Sequence, residues 1–191
     1  MPNLCSVCYK CVADKNQIRE LNAALKYLDK RKTPLEKNGW GKLWLGCLIK
    51  KLGGNWEEYD CRGVILSYGQ CDDGSYMIDQ DTAWTEQEEF RRFLEKRFPG
   101  MKVYYLEQEP GCENFYCNDV AGVYFPERFF LDSEEDQFYF HTIEEAAAKV
   151  SLIVGHEVNA VEDEVYDTIT DYADSHEDVF YSFHSFLVID D

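Results

Sequence analysis

Residues 61–82 read CRGVILSYGQCDDGSYMIDQDT. Two β-rich runs, 61–69 and 75–82, flank Asp72-Asp73-Gly74, and an Asp-Gly step between such runs marks a β-hairpin. Downstream, Thr85-Glu86-Gln87-Glu88 has the spacing of a capping box, and the helix it is expected to open carries Phe90, Phe93 and Leu94 on one face. Pro99-Gly100 ends that helix, and 102–108 (KVYYLEQ) predicts a strand. Upstream, Leu43, Trp44, Cys47, Leu48 and Leu52 follow helical spacing over about 41–52, with Gly53-Gly54 as the stop.

The first 33 residues complete the pattern. LCSVCYKCVA (4–13) predicts a strand, and Asp14 an N-cap for a helix over about 15–32 with Ile18, Leu21, Leu25 and Leu28 inward. Thr33-Pro34 ends it. The resulting order, β-α-α-β-β-α-β, is a ferredoxin-like β-α-β-β-α-β with one extra helix before the hairpin. After Pro110-Gly111 the sequence predicts strands at about 121–131 and 136–141, joined by the acidic turn 132–136. Thr142-x-x-Glu145 is a second capping box opening a helix to about 154, followed by a helix over about 162–175 and a closing strand over 179–189. The expected class is α+β, with a core over residues 1–111 and an acidic α+β extension, 112–191, packed on it.

Charge divides the chain in the same place. Residues 1–102 carry 17 Lys/Arg against 15 Asp/Glu, whereas 103–191 carry only Arg128 and Lys149 against 22 acidic residues. The formal net charge of −18 therefore belongs to the C-terminal half. That half also holds many aromatic residues, among them Phe129, Phe130, Phe138, Phe140, Phe183 and Phe186, so it reads as folded rather than as a disordered acidic tail. A surface of this sign argues against direct binding to nucleic acid or anionic membrane. No basic-then-apolar leader and no run of 18 apolar residues is found, and eight cysteines without a secretory context read as reduced thiols of a cytoplasmic protein.

Several short signatures recur in an ordered set: Pro2-Asn3-x-Cys5, Gly53-Gly54-Asn55-Trp56-x-x-Tyr59-Asp60, Thr82-Ala83-Trp84, Phe98-Pro99 and Glu109-Pro110-Gly111. Together they resemble the YubB ferredoxin-like family, bacterial proteins found largely on plasmids, phages and other mobile elements. Leu4 stands where members typically have Trp. The resemblance covers residues 1–111, implies the ferredoxin-like fold, and brings no established activity, cofactor or catalytic residue with it.

Residue chemistry offers few sites. Cys5-x-x-Cys8-x-x-Cys11 has thiolate spacing, but on a strand Cys5 and Cys11 share one face and Cys8 takes the other, so three ligands do not converge. His141, His156, His176 and His184 show no ligand spacing, and no phosphate loop or nucleophile elbow is present. Glu107 and Glu109 share one strand face and read as solvated. No catalytic residue, metal or cofactor is assigned. Trp56, Tyr59 and Trp84 are candidates for a small-ligand pocket, with the plugging of a core end as the alternative.

The 162–175 helix is the more pointed feature. Val161, Val165, Ile169 and Tyr172 fall within a stripe of about 80°, with Asp163, Asp167, Asp171 and Asp174 roughly opposite. Asp163, Asp167 and Asp171 place like charges at i,i+4 twice, and no Lys or Arg occurs from 150 onward. With Glu134, Glu135 and Asp136 alongside, these acids define a candidate interaction face for a basic or nucleic-acid-binding protein. Six acids along about 22 Å of helix are sparser than the charge of duplex DNA, about one per 1.7 Å, so the helix alone is no DNA mimic. The function expected is a non-enzymatic interaction protein, with a ligand-binding protein or enzyme using the aromatic trio as the alternative.

Overall fold

A computed structural model describes residues 3–134 and 136–191; the expectations placed on Pro2 and Glu135 lie outside them. The described residues form a mixed α+β structure with five α-helices and two sheets. The chain divides into two compact units, residues 1–118 with Asp191, and residues 119–190. The boundary thus falls seven residues beyond the expected 111/112, because a short strand after Gly111 and the side chain of Asn118 both belong to the first unit.

The first unit is built on strands β1 (Leu4–Val12), β2 (Gly63–Gln70), β3 (Tyr76–Ala83), β4 (Lys102–Glu109) and β5 (Asn114–Cys117). Their order is β2-β3-β1-β4-β5, every pair antiparallel. Helix α1 (Lys15–Asp29) and α2 (Leu45–Lys51) lie between β1 and β2, and α3 (Glu88–Arg97) joins β3 to β4. Asp14 caps α1: its carboxylate accepts from the amides of Asn16 and Gln17, and the Gln17 side chain accepts from the Asp14 amide. The hairpin turn closes as the sequence predicts, with the Gly74 amide donating to the Cys71 carbonyl. Gly74 sits at φ +86°, a conformation that glycine adopts without steric cost.

Alternation of side chains sorts each strand into two faces. Cys5, Val7, Tyr9 and Cys11 of β1, Ile78 of β3, and Val103 and Tyr105 of β4 are buried with Leu21, Leu25, Leu28, Leu45, Leu48, Phe90 and Leu94 of the helices in one core. Cys8 is on the opposite face and half-buried. Burying side chains of this size contributes about 1.5–3 kcal/mol each before conformational entropy is counted.

The second unit carries strands β6 (Phe129–Ser133), β7 (Gln137–Phe140), β8 (Tyr181–Ser185) and β9 (Leu187–Val188), with α4 (Ile143–Val154) and α5 (Glu162–Asp174). β6 pairs antiparallel with both β7 and β8. Leu131, Phe140, Ala146, Ala147, Val150, Val165, Ile169 and Phe183 form its core. Thr142 caps α4 by accepting from the Glu145 amide, and Gly155 ends it at φ +80°. The strand expected over 121–131 begins only at Phe129. Before it the Asp119 carboxylate accepts from the Tyr124 and Phe125 amides and the Arg128 guanidinium donates to the Phe125 carbonyl, which holds this segment as a loop.

No helix among the described residues is long and apolar enough to cross a membrane.

Candidate functional site

Along α5 the apolar stripe is narrower than expected, because Val161 precedes the helix and is 54% exposed. Val165 and Ile169 of α5 are buried in the second unit's core, and Asp163, Asp167, Asp171 and Asp174 are exposed. These four span about 16 Å along the helix axis. The unit's two cations are both engaged elsewhere. Arg128 donates to the Asp119, Phe125 and Glu127 carbonyls, and Lys149 lies 3.8 Å from the centre of the Phe138 ring. No ion pair reaches the ridge among the described residues, so its repulsion is unrelieved within the fold.

The acidic turn sits beside the entry to β8. Ser133 is the register partner of Tyr181, which brings the β6–β7 turn beside the segment leading from α5 into β8. Glu134 and Asp178 consequently line one concavity of about 210 Å³, together with Phe180 and Tyr181. Phe180 is 49% exposed. Asp136 is exposed on the same turn, which is tied by the Ser133 hydroxyl donating to the Asp136 carbonyl at 2.7 Å. Carboxylates and an exposed aromatic ring are groups that attract an ammonium or guanidinium, through charge and through the ring face.

The aromatic trio is not gathered in one place by any described cavity. Trp56 meets the Trp44 ring edge-on at 5.0 Å, and Tyr59 meets Phe93 edge-on at 5.2 Å; both pack against the core. Of the three, Tyr59 lines a described cavity, about 380 Å³, walled by Phe93 with Glu58, Glu88, Glu89, Arg92 and Lys96. Trp84 follows β3 at φ +75° and is 44% exposed. A bulky side chain in that region is strained by about 1–2 kcal/mol. Its backbone is held by an amide donation to the Asn3 carbonyl at 3.0 Å and by Asn114 donating to its own carbonyl.

A buried polar cluster went unread in the sequence. The Tyr9 hydroxyl donates to Glu86 at 2.5 Å, and Arg91 Nε donates to the same oxygen at 2.9 Å. The other end of the guanidinium pairs with Asp191 at 2.6 Å and lies 5.0 Å from the centre of the Tyr105 ring. Asn118 donates to Asp191 at 3.1 Å. Arg91 is 1% exposed. Burial pushes the Glu86 carboxyl up to about 7, against the pull of Arg91 and Tyr9 and helped by Glu107.

Glu107 and Glu109 share a face as expected, but they are buried rather than solvated. Glu107 accepts from the Thr85 hydroxyl and the Glu86 amide, and burial raises its pKa. This also removes the expected capping box. The Thr85 hydroxyl is taken by Glu107 and the Glu86 side chain turns inward, so α3 starts at Glu88 behind Gln87, with no side-chain cap. The bonds of the cluster tie α3 and the residue Glu86 before it to Tyr9 of β1, Glu107 of β4 and Asp191. Among the described residues no group of three or more His, Cys, Asp or Glu side chains is arranged to hold a metal ion.

No family model matches the chain, and no curated protein matches it. Among solved structures, an unknown protein from Galdieria sulphuraria aligns over 96% of this chain and 98% of its own length at 12% identity, with a TM-score of 0.21. A score that low carries no argument about fold or function.

Proposed function

We infer that the chain is an interaction protein whose 119–190 unit presents a carboxylate face to a basic partner protein. The observation that carries this is the concavity shared by Glu134 and Asp178, with Phe180 exposed in it; the same unit carries the α5 ridge, which no ion pair among the described residues neutralises. Exposed like charges at i,i+4 cost a few tenths of a kcal/mol per pair. A chain that keeps them without a counter-charge gains long-range attraction for a cationic surface. The aromatic-pocket reading has less support, since the three rings line no common described cavity.

The antiparallel order β2-β3-β1-β4, with helices between β1 and β2 and between β3 and β4, supports the ferredoxin-like reading of the first unit. The ordered signatures from Asn3 to Gly111 support kinship with the YubB family and an origin on mobile elements. A cytoplasmic setting goes with eight cysteines in a chain whose described thiols are not cross-linked.

The test is fluorescence anisotropy of a labelled arginine-rich peptide, comparing the parent with the triple variant Asp167→Asn, Asp171→Asn, Asp174→Asn. Three exposed charge contacts at 0.2–1 kcal/mol each give about a tenfold loss of affinity and a shallower salt dependence. Equal affinity and equal salt dependence in the variant refute the reading.

A further inference from the structure

The first unit carries a cavity whose charge is opposite to that of the chain. A groove of about 430 Å³ runs between α1 and the β2–β3 hairpin. Lys15, Arg19, Asn22 and Lys26 of α1 form one wall, at steps of four, three and four residues, so all four lie on a single helix stripe. Tyr68 and Tyr76 stand on the strand side, and no Asp or Glu lines the groove. In a protein of net charge −18, three cations around one cavity with no acid are a marked local exception.

The cations are available. None of Lys15, Arg19 and Lys26 is in an ion pair among the described residues; the Arg19 guanidinium has only the Asn16 side-chain carbonyl, at 3.4 Å. Local energetics run against the N-terminal part of the stripe, while Lys26 in the last turn suits the helix dipole. Lys15 occupies the first turn of α1, where the helix dipole favours acids, and that turn holds none. Lys15 and Arg19 repel each other at i,i+4. The polar wall is organised: the Tyr76 hydroxyl donates to the Asn22 carbonyl oxygen at 3.0 Å, which leaves the Asn22 amide nitrogen as a donor. Tyr68 is half-buried and its hydroxyl is 3.5 Å from Asp29, a residue outside the groove lining.

We propose that this groove binds a nucleoside di- or triphosphate, with the phosphates on Lys15 and Arg19 and the base toward Lys26 and against Tyr68, whose hydroxyl lies near the Asp29 end of the helix. The three cations span about 16 Å of helix, longer than a phosphate chain alone, which matches a phosphate chain continued by a ring system. Lysine and arginine are the residues that hold phosphate oxygens, and a tyrosine face stacks on a base irrespective of its identity. The volume lies in the range of small-molecule sites. The proposal concerns the first unit alone and does not rest on the acidic face of the second.

The experiment is calorimetric titration of the full chain at low salt with ATP, inorganic tripolyphosphate and a short oligothymidylate. ATP is expected to bind saturably and at least tenfold more tightly than tripolyphosphate, which lacks the ring. Lys15→Gln, Arg19→Gln and Lys26→Gln together are expected to weaken ATP at least tenfold, and Tyr68→Leu to bring ATP down to the tripolyphosphate level. These side chains are surface or half-buried, and circular dichroism verifies that each variant is folded. Absence of ATP binding up to about 1 mM overturns the proposal, as does unchanged affinity in the triple variant. Tripolyphosphate binding as tightly as ATP overturns the base contact, and oligothymidylate binding more tightly than ATP overturns the mononucleotide in favour of a strand.

Discussion

Replacing Arg91 by leucine tests the buried cluster that ties α3 to the sheet. The substitution keeps an apolar stem but removes the guanidinium from between Glu86 at 2.9 Å and Asp191 at 2.6 Å. Removing one partner of a buried ion pair costs about 3–5 kcal/mol, since the other charge stays buried without compensation. For a chain of this length that lowers the melting temperature by on the order of 10 °C. The loss is expected to depend on pH. Glu86 titrates at about 7 in the folded protein against 4.5 ordinarily, so the folded state holds the extra proton between those values. Its contribution is complete below 4.5 and is lost as pH rises through about 7, a swing on the order of 3 kcal/mol. Without Arg91 to favour the ionised form, Glu86 shifts further upward, and the variant's deficit is larger at pH 8 than at pH 5. Urea unfolding followed by tryptophan fluorescence reads this directly, since Trp40, Trp44, Trp56 and Trp84 all lie in the first unit. Arg92→Leu is the comparison: that side chain is 45% exposed, with surface pairs to Glu88 and Glu95 and a long 3.5 Å contact to Asp191, and it is expected to cost at most about 1 kcal/mol. An Arg91→Leu protein within about 1 kcal/mol of the parent, or an equal deficit at both pH values, refutes the reasoning.

Asp167→Asn removes both i,i+4 repulsions of the ridge and is expected to stabilise the second unit by about 0.4–1 kcal/mol, read from helical circular dichroism during urea unfolding; a destabilised variant contradicts the ridge as drawn. Gly155→Ala places a Cβ at φ +80° where nothing lies within 4 Å, so only backbone strain acts, and a loss of about 1 kcal/mol is expected in the same assay. Thiol labelling of the native protein is expected to modify the exposed Cys112 first and the half-buried Cys8 and Cys71 slowly. The buried Cys5, Cys11, Cys47, Cys61 and Cys117 are expected to react only on unfolding, as counted by mass spectrometry.

The elements bounded by strong local signals were legible. Asp14 at the start of α1, the Asp-Gly turn of the β2–β3 hairpin, and the alternation of Asp and apolar residues along α5 each set a local geometry that tertiary structure had no reason to override. What failed was decided by contacts distant in sequence. Alternation correctly put Glu107 and Glu109 on one face, but periodicity does not say what covers a face, and here Thr85 and Glu86 supply donors to the buried Glu107 while Gly111 serves one oxygen of Glu109. Thr85 and Glu88 had capping-box spacing, yet Thr85 was drawn to Glu107 and Glu86 to Tyr9 and Arg91, which moved the helix start. Strand β5 is four residues long and its pairing with β4 leaves no pattern long enough to read. The basic stripe of α1 was present in the sequence as Lys15, Arg19, Asn22 and Lys26, but without the hairpin opposite it had no cavity to face.

The acidic face itself is tested most directly by amide chemical-shift mapping of the 15N-labelled chain on addition of an arginine-rich peptide. Shifts concentrated at 133–136 and 163–180, reversed by added salt, are the result expected if Glu134, Asp178 and the α5 ridge form one receptor. Shifts confined to residues 3–118, or scattered evenly over both units, would contradict it.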